Sequence, residues 1–203
     1  MKAGVLFSGG KDSALAALLL SRDYEVELNT FFFSSGDETG AVENAARATG
    51  LPWKRRNFEE GFLEKVVEMI ITRGYPNEAI QQVHRRAIEM MCHDYLVVAD
   101  GTRMDDRVPM LSREEAQSFQ DRKGCSYLRP LLGYGKKEVD RLVRRHFIVT
   151  NGQTGQIANG DYERGIRGGI AARGLDPLAF FPAEHQQSLV LSRAEPGTEV
   201  NKS

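Results

Sequence analysis

The stretch Gly4-Val5-Leu6-Phe7-Ser8-Gly9-Gly10-Lys11-Asp12-Ser13-Ala14-Leu15-Ala16-Ala17 decides the fold. Its first four residues form a short apolar run that stops at Ser8-Gly9-Gly10, which reads as a buried strand. Ser13 to Ser21 reads as a helix, with Asp12 or Ser13 as its N-cap. Glycines at the junction let the backbone turn tightly and approach an anion closely. The helix start supplies free N–H donors and the positive end of a dipole. Ser8 and Ser13 add hydroxyls, and Lys11 adds a positive charge. Together these suit a polyphosphate at the C-terminal edge of a parallel sheet. Asp12 has no place in a bare anion cradle. An acid beside phosphates points to a divalent cation shared with them, Mg²⁺. G-x-x-x-x-G-K-[ST] occurs nowhere in the chain, and Gly133-Tyr134-Gly135 has Glu138 where a dinucleotide fingerprint needs its third glycine.

Working outward, strand-like runs recur at Val26–Phe33, Trp53–Phe58, Tyr95–Ala99 and Phe147–Thr150. Helical stretches lie between them: Glu38–Thr49, closed by Gly50 and Pro52, then Glu60–Arg73, Asn77–Cys92, one opened by the capping box at Ser112 to Glu115, and Lys136–His146. Strands alternating with helices predict an α/β fold: a five-stranded, mostly parallel sheet with helices on both faces. After Asn151 the texture changes, with frequent glycines from Gly152 to Gly174 and a last apolar cluster at Leu178–Phe181. The expected organisation is a main domain over 1–150, an irregular extension packed on it over 151–193, and a disordered polar tail over 194–203.

Composition narrows the function class. The 203 residues are 41% hydrophobic and 27% charged, an ordinary globular mix that excludes a fibrous or wholly disordered chain. The net charge of −1 provides no global field toward nucleic acid or an anionic membrane. The apolar run Ala14–Leu20 falls far short of the ~20 residues a spanning helix needs, and the N-terminus lacks a signal-peptide layout. A cytoplasmic protein without membrane contact is expected. Cys92 and Cys125 are too few for a disulfide framework or a four-cysteine zinc site. They are expected as ordinary buried or partly buried thiols, with Cys125 in the basic stretch Lys123-Gly124-Cys125-Ser126.

Ser8-Gly9-Gly10-Lys11-Asp12-Ser13 after an N-terminal strand resembles the PP-loop of the ATP pyrophosphatases. That superfamily includes the ATP domains of GMP, NAD and asparagine synthetases, and tRNA thiolases. Gly101-Thr102-Arg103-Met104-Asp105-Asp106 is similar to its G-T-x-x-D-D segment. Arg129-Pro130-Leu131-Leu132 with Lys136-Lys137-Glu138 resembles a later one. The resemblance implies an adenine nucleotide alpha hydrolase-like fold, with ATP and Mg²⁺ as cofactors. It implies cleavage of ATP between the α and β phosphates, adenylation of a carbonyl or carboxylate oxygen, and displacement of AMP by a nitrogen or sulfur nucleophile. On this reading Ser8, Gly9, Gly10, Lys11, Asp12 and Ser13 hold phosphates. Phe32, Phe33, Gly101 and Thr102 contact the nucleotide. Lys11, Asp12, Arg103, Asp105 and Asp106 serve catalysis, and Asp12 and Asp106 bind the metal. The residues alone leave Asp105 and Asp106 open between a substrate or metal contact and a helix cap. They leave Arg103 open between an α-phosphate contact and a surface arginine.

The acceptor is open between tRNA modification and amide synthesis. The alternative is a non-catalytic, adenine-nucleotide-binding regulator. tRNA and a second copy of the chain are candidate partners. Basic pairs at Arg55-Arg56, Arg85-Arg86, Lys136-Lys137 and Arg144-Arg145 read as solvated helix faces or as RNA contacts. His84, His93, His146 and His185 lack metal-ligand spacing and read as structural or surface residues. Ser188 and His185 invite a hydrolase reading, but no G-x-S-x-G elbow is present. The glycine-rich stretch Asp161–Gly174, with Arg164, Arg167 and Arg173, reads either as a lid or as a packing extension.

Overall fold

A computed structural model describes residues 1–154 and 156–195. Its strands are β1 (Lys2–Leu6), β2 (Glu25–Phe32), β3 (Trp53–Asn57), β4 (Val97–Ala99), β5 (Ser126–Leu128), β6 (Phe147–Gln153) and β7 (Gln186–Arg193). Its helices are α1 (Lys11–Leu20), α2 (Gly40–Thr49), α3 (Phe62–Arg73), α4 (Asn77–Met91), α5 (Arg113–Lys123), α6 (Lys136–His146) and α7 (Tyr162–Ala172). Five strands form a parallel sheet in the order β3-β2-β1-β4-β5. The chain steps outward from β1 on one side and then on the other. The crevice beyond the C-terminal end of β1 is therefore a topological switch point, where open α/β sheets bind ligands.

Both faces of the sheet are covered, as the strand–helix alternation predicts. Val5, Phe7, Leu15, Leu28, Val42 and Val139 form a core on the side of α1, α2 and α6. Leu6, Phe31, Val66, Ile70, Ile88 and Ile166 form the other, against α3, α4 and α7. Successive β1 residues Val5 and Leu6 serve opposite cores because side chains alternate across a strand.

Three sequence readings are corrected. First, the fifth strand of the main sheet is β5, not Phe147–Thr150. Only three residues long and half-buried at the sheet edge, β5 is too short to stand out from its surroundings. Phe147–Thr150 belongs to β6, which pairs antiparallel with β7 in a separate ribbon with a bulge between Ile148 and Val149. Exposed and half-exposed residues along β6 suit a two-stranded ribbon, not the buried interior of a parallel sheet.

Second, the stretch after Asn151 is built of regular elements. β6 runs across residue 150, and the glycine-rich segment is helix α7, N-capped by the Asp161 carboxylate accepting from the Glu163 N–H at 3.1 Å. Glycine costs a helix about 1 kcal/mol relative to alanine. Here the gain is proximity. A Cβ on Gly165 would sit 2.6 Å from the Phe33 ring, and one on Gly169 would sit 2.8 Å from Val67. The glycines let α7 lie directly on α3 and β2, burying Ile166 and Ile170.

Third, Cys92 and Cys125 are not separate thiols. They form a disulfide, with Cα atoms 5.4 Å apart. Cys92 caps α4 and Cys125 precedes β5. The packing of α4 under the sheet brings together residues separated by 33 positions. The expected tail beyond residue 195 lies outside the described residues.

Candidate phosphate-binding site

The loop follows β1 at the switch point. Gly9 has φ +82°, in the region that favours glycine. Gly10 is the extended N-cap of α1. The Ser13 hydroxyl donates to the Gly10 carbonyl at 3.1 Å, and the Ser8 N–H donates to Ser13 Oγ at 3.3 Å. The Gly10 N–H donates to Ser8 Oγ at 3.3 Å. The two serines thus brace the turn as well as offering hydroxyls.

The G-T-x-x-D-D segment comes from the adjacent strand β4. A Cβ on Gly101 would lie 2.6 Å from the Ser13 nitrogen, so the two segments touch backbone to backbone. Lys11 Nζ stands 2.7 Å from Asp12 Oδ1 and 3.2 Å from Asp140 Oδ1. Arg103 is no surface arginine: its side chain is 15% exposed. Its guanidinium lies 2.6 Å from Asp106 Oδ1, 3.5 Å from Asp105 Oδ1 and 3.7 Å from Asp12 Oδ2. Burial penalises this charge, but the Asp106, Asp12 and Asp105 carboxylates outweigh it and raise the Arg103 pKa. Asp105 is also a cap, accepting from the Lys136 N–H at the start of α6 at 3.1 Å. That bond holds its pKa below the usual carboxylate range.

The C-terminal elements clamp the loop. The Val190 N–H donates to the Gly9 carbonyl at 2.9 Å, and the Gly160 N–H donates to the Ser8 carbonyl at 2.7 Å. Ser188 Oγ accepts from the Lys11 N–H at 3.1 Å, occupying one of the free donors at the start of α1.

Two cavities meet at the loop. The first, about 190 Å³, has apolar walls of Leu6, Phe31, Ile80, Pro109 and Tyr162, and ends at Ser8, Asp12, Ser13 and Thr102. His84 Nε2 and Asp100 Oδ2, 2.6 Å apart and both buried, also line it. Tyr127 donates to the same Asp100 oxygen at 2.5 Å. Burial opposes the Asp100 charge, but His84 and these donors hold its pKa below the ordinary value. The second cavity, about 750 Å³, is polar. Lys11, Asp12, Arg103, Asp106, Lys136 and Arg144 line one side, and Asn159, Asp161, His185, Gln187 and Ser188 line the other.

Residues 1–192 match the family model described as "Family of unknown function (DUF7411)". The chain belongs to that family. A protein of Methanocaldococcus jannaschii named "Uncharacterized protein MJ0690" is 40% identical over 192 residues, covering 94% of this chain and 96% of its own. A solved structure described as a predicted subunit of tRNA methyltransferase from M. jannaschii is similar with a TM-score of 0.87 and 38% identity, covering 96% of this chain and 99% of that one. Both likenesses span nearly the whole chain, so the α/β sheet and the β6–α7–β7 unit together are shared with that solved structure. A U34-tRNA thiolase NcsA from Methanococcus maripaludis is similar at a TM-score of 0.42 and 17% identity, over 70% of this chain and 55% of that one.

In this DUF7411 chain the resemblance to the PP-loop ATP pyrophosphatases is carried by the loop's place between β1 and α1. Gly101–Asp106 stands beside it. Gly9, Gly10, Lys11, Asp12, Ser13, Gly101, Thr102, Arg103 and Asp106 come together as the sequence suggests. Phe32 and Phe33 line neither of the two cavities at the loop. They line a third cavity of about 390 Å³ with Arg164 and Gly165 of α7. Phe32 lies under the Arg55 guanidinium at 4.6 Å, and Phe33 packs on Phe58 and Phe62. Phe31, on the face of Phe33 and opposite Phe32, lines both this third cavity and the one beside the loop. Sequence reasoning missed Gly160, Ser188, His84 and the loop-side role of the C-terminal unit, because none of these sits in a contiguous motif.

Among the described residues no three His, Cys, Asp or Glu side chains cluster as a metal cage, and no helix is long and apolar enough to cross a membrane. Asp12 and Asp106 both reach Arg103 at the cavity's edge. Two carboxylates beside a phosphate cradle suit Mg²⁺, which keeps several waters and shares its shell with substrate phosphates.

Proposed function

We propose that this protein is a PP-loop ATP pyrophosphatase that adenylates an acceptor. The observation that carries the reading is the pair of cavities meeting at Ser8–Ser13, one small and apolar-walled, one large and polar. Their joint shape suits a molecule with a flat apolar ring and a polyanionic chain, which describes a nucleoside triphosphate. The base enters between Phe31, Ile80 and Tyr162, while Phe32 and Phe33 flank the neighbouring cavity. Gly101 and Thr102 lie along the sugar, and the loop holds the β and γ phosphates.

The work of the reaction is to stabilise charge as pyrophosphate leaves, which fixed donors in a water-poor site do well. The α1 N–H groups, Lys11 and the Ser8 and Ser13 hydroxyls are those donors. Arg103 meets charge at the α-phosphate, and Asp106 and Asp105 keep its guanidinium in place. Asp12 and Asp106 would hold Mg²⁺, which neutralises charge on the departing phosphates.

A nitrogen or sulfur nucleophile then displaces AMP from the acceptor. Cys92 and Cys125 line neither site cavity and are joined in the core, so a sulfur nucleophile comes from outside this chain and not on one of its cysteines. The M. jannaschii protein described as a predicted tRNA methyltransferase subunit, with Lys136 and Arg144 lining the cavity, makes tRNA the first acceptor to try.

The test uses ATP labelled at the α-phosphate with Mg²⁺, adding total tRNA, a small-metabolite pool, or neither. Labelled AMP or adenylated acceptor, absent in Ser13→Ala, is expected, and the pool that triggers it names the acceptor class. Labelled ADP overturns α–β cleavage. Tight ATP binding without turnover in any pool supports the non-catalytic regulator instead.

A further inference from the structure

Two residues that the sequence offers as a failed hydrolase pair, His185 and Ser188, both line the polar cavity. Ser188 is occupied by the Lys11 N–H. His185 is not occupied by the loop. Its Nδ1 lies 2.6 Å from Glu163 Oε2. Glu163 is only 3% exposed, and its other oxygen accepts from Arg167 Nε at 2.8 Å. A buried carboxylate held by an arginine and aimed at one nitrogen of a histidine fixes the ring. In the neutral ring Nδ1 carries the proton toward Glu163, and the lone pair is on Nε2. The imidazole is about half exposed, so solvent can exchange its proton.

We propose that His185, positioned by Glu163, accepts the proton of the nucleophile that displaces AMP. This makes the β6–α7–β7 unit the acceptor half of the site. The proposal rests on the adenylating reading above. The lone pair of an N–H or S–H nucleophile forms a bond to the activated carbon. The bond from that carbon to the AMP phosphate oxygen breaks, and its electron pair leaves with AMP. The nucleophile's proton passes to Nε2 of His185 and from there to water.

The groups facing His185 tune it. Glu163 raises its pKa, burial opposes, Asp161 at the α7 N-cap also raises it, and Arg167 lowers it. Thr154, just past β6, approaches Nδ1 at 3.3 Å. The form that accepts a proton is the neutral one, so AMP release rises with pH through the His185 pKa and then levels.

The experiment separates the two half-reactions. Full-length protein, α-labelled ATP, Mg²⁺ and the acceptor pool found active above are mixed first without, then with, ammonium or sulfide. Labelled adenylated acceptor and labelled AMP are quantified. In H185N, AMP release is expected to fall about 100-fold relative to adenylation, the scale of a lost general base. Added imidazole is expected to restore much of it in H185A. In E163Q the rising limb of the pH profile is expected to move to lower pH, a change that a purely structural tie between α7 and β7 would not produce. Should E163Q fail to fold, the half-exposed His185 variants carry the test. Unchanged release in H185N, or equal loss of both half-reactions without imidazole rescue, overturns the proposal. Absence of any labelled adenylate or AMP in the wild type overturns the adenylating reading itself and the proposal with it.

Discussion

The two sides of the polar cavity are made in different ways. The side built on the five-stranded sheet comes from two short contiguous motifs, each at the end of a parallel strand. The side built on β6, α7 and β7 comes from scattered single residues: Asn159, Asp161, His185, Gln187 and Ser188. The first is a rigid cradle whose chemistry is local. The second closes over that cradle and grips it by backbone, through Val190 to Gly9 and Gly160 to Ser8. A phosphate site can be complete in its donors and still depend on a distant element for its shape.

The comparison can be broken most forcefully at Gly101, where cradle meets cradle. Gly101→Ala puts a Cβ 2.6 Å from the Ser13 nitrogen. The expected outcome is about 3 kcal/mol of destabilisation in urea and loss of ATP binding, because backbone must shift against backbone. ATP affinity equal to the wild type would show that the loop tolerates displacement of α1.

Reduction of the Cys92–Cys125 disulfide, which spans 33 residues, is expected to cost about 3 kcal/mol in thermal or urea unfolding. Neither cysteine lines a site cavity, so ATP affinity of the folded protein should be retained. A large affinity loss on reduction would couple that core to the site.

Two substitutions sharpen the role of the clamp. Val190 is buried, and Val190→Ala is expected to remove about 2 kcal/mol of stability and to weaken ATP binding along with it. Stability loss without any affinity loss would reduce the clamp to packing. Ser188→Ala should do the opposite to binding. Its hydroxyl competes with phosphate for the Lys11 N–H, so the ATP-free protein loses about 1 kcal/mol, while ATP affinity, read by calorimetry, rises up to about fivefold.

The smallest effect is in the Glu163–His185 tie. The Glu163 pKa is lowered: burial opposes its charge, but His185 and Arg167 outweigh it. Its contribution is therefore present above the unfolded-state value and lost as pH falls through the lower folded one. The His185 pKa is raised, so its contribution is present below its unfolded value and lost as pH rises through the higher folded one. The stability difference between wild type and H185N should peak between these limits. It should stay under about 1 kcal/mol because the imidazole is half exposed. A difference flat from acid to alkaline pH would show that the tie is not ionic.

What was legible from residues alone follows a physical line. The meeting of Ser8–Ser13 with Gly101–Asp106 was legible because each is a short contiguous motif at a strand end. Glycine conformation, helix-terminus donors and adjacent charges act within six residues. Parallel sheet architecture was legible because apolar runs alternate with helical ones. β5 was not, being three residues at an edge. The helical state of Tyr162–Ala172 was hidden too, since its glycines argue against a helix until α3 and Phe33 are known to press against it. Phe32 and Phe33 were placed by their position at a strand end. Which face each shows was decided by strand alternation and by the fit of α7, and of the three neighbouring phenylalanines only Phe31 lines the cavity beside the loop.

The sequence by itself therefore determined the strand–loop–helix turn at Ser8–Ser13, the acids placed near it and the parallel α/β sheet that holds them, because propensity, periodicity and short-range chemistry reside in neighbouring residues. Tertiary structure alone decided the pairing of Cys92 with Cys125, the separate β6–β7 ribbon, and the arrival of Ser188 and His185 at the cavity. Ser188 meets Lys11 across 177 positions of chain. No local preference encodes a meeting at that separation; it is set by how the helices bury their apolar faces and by which edges remain to be covered.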